Sequence, residues 1–340
     1  MITVGGIEKL PSTQVRVLGV WLDPKLRWQA HARVVQQKGL TALGAFQRVV
    51  ASTWGATFTR ARLLYNSTIR PKITYGVAAW CSTKRPGKGP VAQAIQKIQN
   101  KGLRAVAGAY QATLIRELER EVFIPPIDIY YSKLCARHIR RTYASLVSVF
   151  IQEQCSTISR RIRQKRHGRG NQERPSKSVA QERIEWARQR EQEYGGQSKK
   201  AVLTEWQKRW HDERVRKASW PESIAALKQP TQGSLKLYSK LKKAESSVLF
   251  QARTGRIGLR RFLASVRVPG VSEECLCEQG KETAEHVLLH CGDTPQAWGR
   301  GVPFQKLVSE PVLAGQVARH LIQSGRLDQF RVASRLLYSE

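Results

Sequence analysis

Apolar and polar positions first alternate in Val15-Arg-Val-Leu-Gly-Val-Trp-Leu22, a stretch rich in β-branched and aromatic residues. Asp23-Pro24 supplies a turn and Leu26-Arg-Trp28 reads as a short return strand, so the pattern predicts a hairpin. From Gln29 the spacing becomes helical, with helices predicted over 30–50, 59–70 and 89–107. In the last of these, Val91, Ile95, Ile98 and Leu103 form an apolar stripe, while Lys97, Lys101 and Arg104 form a basic one. Thr113 reads as the N-cap of a helix over 114–120, with Glu117 inside its first turn. Pro125-Pro126 then interrupts the chain before a long helix over 127–154.

The pattern changes after Thr157. The segment 160–170 carries Arg160, Arg161, Arg163, Lys165, Arg166 and Arg169 with almost no apolar residue and no acid, and 171–176 has linker composition. Helical spacing resumes over 179–193 and 199–217, on either side of Gly195-Gly196. A further helix over 235–251 leads into Arg253-Thr-Gly255, and the tail from Pro311 reads as two short amphipathic helices. The solenoid-type repeat of roughly 20–50 residues is absent. The predicted fold is mainly α: a short N-terminal β-hairpin and helices over 1–134, a basic helical linker over 135–234, and a helical tail over 235–340 with a small knuckle at 275–291.

Charge narrows the function. Lysine and arginine number 58 against 26 acidic residues, a formal net charge of +32. A chain so charged repels itself unless an anion neutralises it, which points to nucleic acid or an anionic membrane surface. No apolar run approaches the roughly 18 residues that span a bilayer. The start MITVGGIEKLPS lacks the basic opening and apolar stretch of a secretory signal. The expectation is a nuclear or cytoplasmic protein, not secreted and with no membrane partner. The stripe of Lys97, Lys101 and Arg104 is either simply solvated or follows a phosphate backbone. The denser run from Arg160 to Arg169 fits a phosphate-binding arm or a nuclear import signal, and it lacks the aromatic or leucine face of a membrane-inserting helix. Trp54, Trp186, Trp206, Trp210 and Trp220 lie near basic residues and could stack on bases, but the i,i+4 spacing of Trp206 and Trp210 favours core packing.

Of six cysteines, Cys81, Cys135 and Cys155 are scattered, whereas Cys275, Cys277 and Cys291 cluster with His286. The array C-x-C-x8-H-x4-C offers the soft and borderline ligands of a tetrahedral zinc site, from a tight turn plus a helix predicted over 282–291. His286 and His290 lie at i,i+4, so the fourth ligand is either Cys291 or His290. Four such ligands with no spare carboxylate describe a closed, structural Zn2+ site. The plain alternative is three buried thiols beside a satisfied histidine.

Catalytic patterns are missing. Two-metal phosphodiester chemistry needs clustered carboxylates, and the five aspartates (Asp23, Asp128, Asp212, Asp293, Asp328) are each isolated. Neither G-x-S-x-G nor G-x-x-x-x-G-K-[ST] occurs. His31, His138, His167 and His211 have no evident acid partner.

Val17-Leu-Gly-Val-Trp-Leu-Asp23, Leu26-Arg-Trp28 and His31 resemble the segment just after the palm core of non-LTR (LINE-type) retrotransposon reverse transcriptases. The resemblance continues, in the family's order, through Ser52-Thr-Trp-Gly55, Leu64-Tyr65, Ile69-Arg-Pro71, Thr74-Tyr-Gly76, Trp80, Ile98-Gln-Asn100, Ala107-Gly-Ala109 and Thr113. Trp206-Gln-Lys-Arg-Trp210, Ser246-Ser-Val-Leu-Phe250, Arg253-Thr-Gly255 and Gly258-Leu259 look like the tail of fungal-type members. That tail ends in a C-x-C…ETxEH…C knuckle, which implies zinc and favours Cys291 over His290.

The resemblance implies that 15–28 is the last palm hairpin and that the helices to about 109 are the thumb. The family's catalytic Asp-Asp pair would precede this chain, and the acidic residues of its RNase H domain are not matched around 155–200. The resemblance therefore implies a fragment from a truncated element or an abbreviated gene model. It would bind RNA or DNA largely without sequence preference and would not polymerise. The alternatives are a clipped part of an active RNA-directed DNA polymerase, or a zinc-dependent interaction module or inert relic.

Overall fold

The computed structural model describes residues 2–4, 7–9, 12–81, 87–143, 154, 157, 185, 189, 198–216, 223–293, 298 and 301–338. The fold is mainly helical, with two small antiparallel hairpins near the N-terminus. The chain forms two compact units. One comprises Met1–Val34, Thr74–Ala94 and Pro126–Trp206, the other Val35–Ile73, Ile95–Pro125 and Gln207–Glu340.

In the first unit, strands Ile2–Val4 and Ile7–Lys9 pair, and Val15–Val17 pairs with Val20–Leu22. The second hairpin closes inside the stretch expected to be a single strand. Leu18 and Gly19 both have positive φ, +47° and +85°, the requirement of a two-residue turn that matches strand twist. Leu26-Arg-Trp28 is not a return strand. The Asp23 carboxylate instead gathers the backbone N–H groups of Lys25, Arg27 and Trp28 at 3.2, 2.9 and 2.8 Å, and these bonds hold it below the usual carboxylate range. Tyr75 donates its hydroxyl to Leu18 O at 2.8 Å and lies against Gly19. Helices Val77–Trp80 and Ile127–Tyr143 pack with Trp80 edge-on to Tyr131, ring centroids 5.2 Å apart. Residues 144–153 of the helix expected over 127–154 lie outside the described residues, as does most of 179–193.

In the second unit, helix Phe58–Leu64 runs through a π turn at Tyr65–Ile69 into Arg70–Ile73. The sequence pattern ends this helix at Arg70, because Pro71 lacks an N–H and its ring presses on the carbonyl four residues back. The chain accommodates Pro71 by widening the preceding turn, where Arg70 N–H reaches Tyr65 O. Helix Pro90–Ala107 buries Val91, Ile95, Ile98 and Leu103, as its stripe predicts. A Cβ on Gly102 would stand 2.5 Å from the Tyr65 ring, so only glycine permits that approach.

The helix expected over 235–251 is two helices, Ser234–Tyr238 and Lys243–Thr254. Between them Leu241 turns into the core, and Glu245 reaches back to Lys242 N–H at 2.7 Å to start the second. Lys243–Thr254 is buried on every side. It packs along Pro311–Gln323, which with Arg331–Tyr338 makes the two tail helices expected from the sequence. Its Lys243 ammonium donates to Ala105 O and Val106 O, at the end of Pro90–Ala107, at 3.2 and 2.7 Å.

Helix Ile115–Val122 begins one residue later than expected. Leu114, not Thr113, holds the cap position, with its N–H accepted by Glu117 at 3.3 Å. Its Glu117, Glu119, Arg120 and Glu121 are all buried. Buried charges persist only when paired. Arg256 meets Glu117 at 2.9 Å, and Glu121 collects Arg253, Arg120 and the Tyr238 hydroxyl. Burial pushes the Glu117 carboxyl up, against the pull of Ser223 and Arg256.

Candidate metal centre

The knuckle begins with a one-residue bridge between Glu274 and Lys281. Inside it the chain doubles back, with Cys275 N–H donating to Gly280 O at 2.8 Å and Glu278 N–H to Cys275 O at 3.0 Å. Gly280, beside the His286 ring, has φ +146°, a conformation that other residues rarely adopt. Thr283 then caps helix Ala284–Leu289 by accepting His286 N–H at 3.1 Å. The helix is shorter than the predicted 282–291 and ends before His290. This leaves His290 exposed and turns Cys291 inward.

The ligand atoms of Cys275, Cys277, His286 and Cys291 all lie within 4.8 Å of one another. Cys275 Sγ and Cys291 Sγ are 3.7 Å apart, and Cys277 Sγ is 3.2 Å from His286 Nε2. The sulfur separation is far beyond the roughly 2.05 Å of a disulfide. These four residues could hold a metal ion, and Cys291, not His290, completes the set.

A residue without a sequence signal closes the site. Arg326, three residues beyond Pro311–Gln323, donates Nη1 to Cys275 Sγ and Nη2 to Cys291 Sγ, both at 3.2 Å. Nη1 also meets Glu282 Oε1 at 2.7 Å, and Glu282 Oε2 accepts Arg260 N–H at 2.7 Å. Burial opposes the charge of Arg326, but Glu282 and the two sulfurs outweigh it and hold its pKa above the ordinary value. The Gln279 backbone N–H, helped by His286, draws the Cys277 thiol down to about 6, while burial pushes that of Cys275 up. At the rim, Glu273 pairs with Lys281 at 2.7 Å and Arg261 at 2.5 Å. Arg326 lies 35 residues from Cys291 in sequence, so only the packed tail reveals it.

The basic residues are placed unevenly. Lys97 and Lys101 are exposed, on the side of their helix opposite the buried stripe. Arg104 is half-buried and donates to Asn100 O, Gln111 O and Thr113 O at 3.2, 3.0 and 3.2 Å, where burial lowers its pKa. It ties the turn after the helix. Arg160, Arg161, Arg163, Lys165, Arg166 and Arg169 lie outside the described residues. Trp206 and Trp210 are buried, as their spacing suggests, and Trp54 is exposed. Trp186 and Trp220 lie outside the described residues. Among the described residues no helix is long and apolar enough to cross a membrane. Compared with protein-family models, with curated proteins and with solved structures, the chain matches none.

Proposed function

We propose that this chain is the nucleic-acid-binding thumb and tail of a non-LTR-retrotransposon-type reverse transcriptase, without the polymerase carboxylates, and that its knuckle is a structural zinc centre. In this reading 15–28 is the end of the palm, and the helices to about 109 lie along a template–primer backbone. The single observation carrying the binding role is Pro90–Ala107: its apolar stripe is buried, and Lys97 and Lys101 face water in a chain of net charge +32. Phosphates, evenly spaced along any duplex, suit such a face without reading sequence.

Zinc fits the donor set of three thiolates and one imidazole. With Zn–S near 2.3 Å, a tetrahedral edge between two sulfurs is about 3.8 Å, and Cys275 and Cys291 stand 3.7 Å apart. The metal would cross-link residues 275–291 and supply no catalysis. Two thiolates beside a divalent ion and a third thiolate leave one excess negative charge, which Arg326 offsets.

The test is binding to an RNA–DNA hybrid by fluorescence anisotropy across a salt series. Log K should fall linearly with log salt, by about 0.9 per phosphate contacted. Lys97→Glu with Lys101→Glu should flatten that slope by about 1.8. Absence of binding at low salt, or binding indifferent to salt, overturns the proposal. Primer extension with magnesium or manganese should give no product, whereas extension would favour the clipped-polymerase reading.

A further inference from the structure

The three thiols of the knuckle are not equivalent. Cys275 and Cys291 are 3% and 1% exposed, and the two outer nitrogens of Arg326 are directed at them, one each. Cys277 is half-buried, and beside it Leu276 is 69% exposed, so the outer lip of the knuckle is open to solvent at this sulfur. We infer that the knuckle contains a thiol-modification site: Cys277 is the sulfur at which disulfides and alkylating electrophiles attack, while Arg326 and burial protect Cys275 and Cys291. The inference rests on the metal reading, in which all three sulfurs are thiolates.

The chemistry depends on access and lone pairs. A thiolate attacks a disulfide along the S–S axis, so the reagent needs an open line to the sulfur. At Cys275 and Cys291 a lone pair is engaged by a charge-assisted N–H bond from Arg326 that bond formation must weaken, whereas the backbone N–H of Gln279 at Cys277 is an uncharged, weaker donor. At Cys277 the sulfur displaces RS− from RSSR. A Cys277–SR bond forms, the old S–S bond breaks, and its electron pair leaves with RS−. With iodoacetamide an S–C bond forms and iodide leaves. Either product removes one ligand from the centre. Cys277 therefore makes the clasp responsive to thiol-reactive oxidants and electrophiles, while the pair held by Arg326 stays together.

The experiment treats the full chain, isolated with its metal, with substoichiometric iodoacetamide under native conditions. Cys275 and Cys277 share one tryptic peptide and Cys291 lies on the next, so fragment-ion mass spectrometry assigns all three sites. Metal release is followed with a colorimetric chelator. Cys277 should react at least about tenfold faster than either other cysteine, the factor expected of one charge-assisted hydrogen bond. In guanidinium the three should react alike. Arg326→Lys and Arg326→Gln should speed Cys275 and Cys291 and leave Cys277 little changed. Metal-loaded protein that labels evenly, or first at Cys275 or Cys291, overturns the inference and leaves the metal reading standing. Protein that neither carries nor takes up metal overturns both.

Discussion

Arg253 grips Glu121 as a fork: its Nε and Nη2 donate at 3.0 and 2.9 Å to the two carboxylate oxygens. Neither side chain is open to water. The pair joins Ile115–Val122 to Lys243–Thr254, and Arg253 Nη1 goes on to Val308 O at 2.6 Å. Removing one partner of a buried pair strands the other charge. Glu121→Ala should therefore cost about 3–5 kcal/mol in urea unfolding. Glu121→Leu combined with Arg253→Met should cost less than Glu121→Ala, because of the two guanidinium groups on Glu121 only that of Arg120, which also bonds Lys228 O, is left behind. A single variant as stable as the parent would show that the pair carries no such weight.

Gly108 stands where Lys243–Thr254 meets the end of Pro90–Ala107. Its φ is +64°, and a Cβ there would fall 2.1 Å from Ser247 Oγ. Gly108→Ala is expected to lose more than about 2 kcal/mol, from left-handed backbone cost plus overpacking. Adding Ser247→Gly removes the clash and should restore part of the loss. If the double variant is no better than the single, measured by thermal melts, the contact is not the cause.

Lys243 gives a pH signature. Burial lowers its pKa from 10.5 to about 7. Between those two values the unfolded chain holds a proton that the folded chain does not, so stability rises with pH across about 7 to 10.5 and is flat on either side. Urea midpoints for the parent minus those for Lys243→Met should climb through that window. A flat difference would mean that the ammonium stays charged against the carbonyls of Ala105 and Val106.

Ligand identity has its own contrast. Cys291→Ser should lower metal affinity by tenfold or more on the order expected for a lost first-sphere ligand. His290→Ala, at the exposed neighbour, should leave it unchanged. Equilibrium dialysis decides between them, and equal losses would reopen the choice of fourth ligand.

Much of this was legible in the residues because the signals were local. Helical spacing located Gln29–Gln47, Pro90–Ala107 and Ser198–Arg216 to within a few residues, and cysteine spacing located the knuckle. Ile115–Val122 was harder: IRELEREV reads as a surface helix, and its burial depends on Arg253, Arg256 and Tyr238, more than 100 positions away. The π turn before Pro71 left no pattern, since a proline reads as a break until packing holds the chain on both sides. Arg326 was one arginine among many until the tail brought it to the sulfurs.

The position of Arg326 also orders events during synthesis. All four candidate ligands leave the ribosome before it, and 35 residues separate it from Cys291. At about 5–20 residues per second that interval is about 2–7 s. The nascent knuckle can therefore take up metal first and present a bare anionic pair of sulfurs. The arriving tail then docks onto a finished centre, so a chain that misses its ion during those seconds offers Arg326 a weaker target.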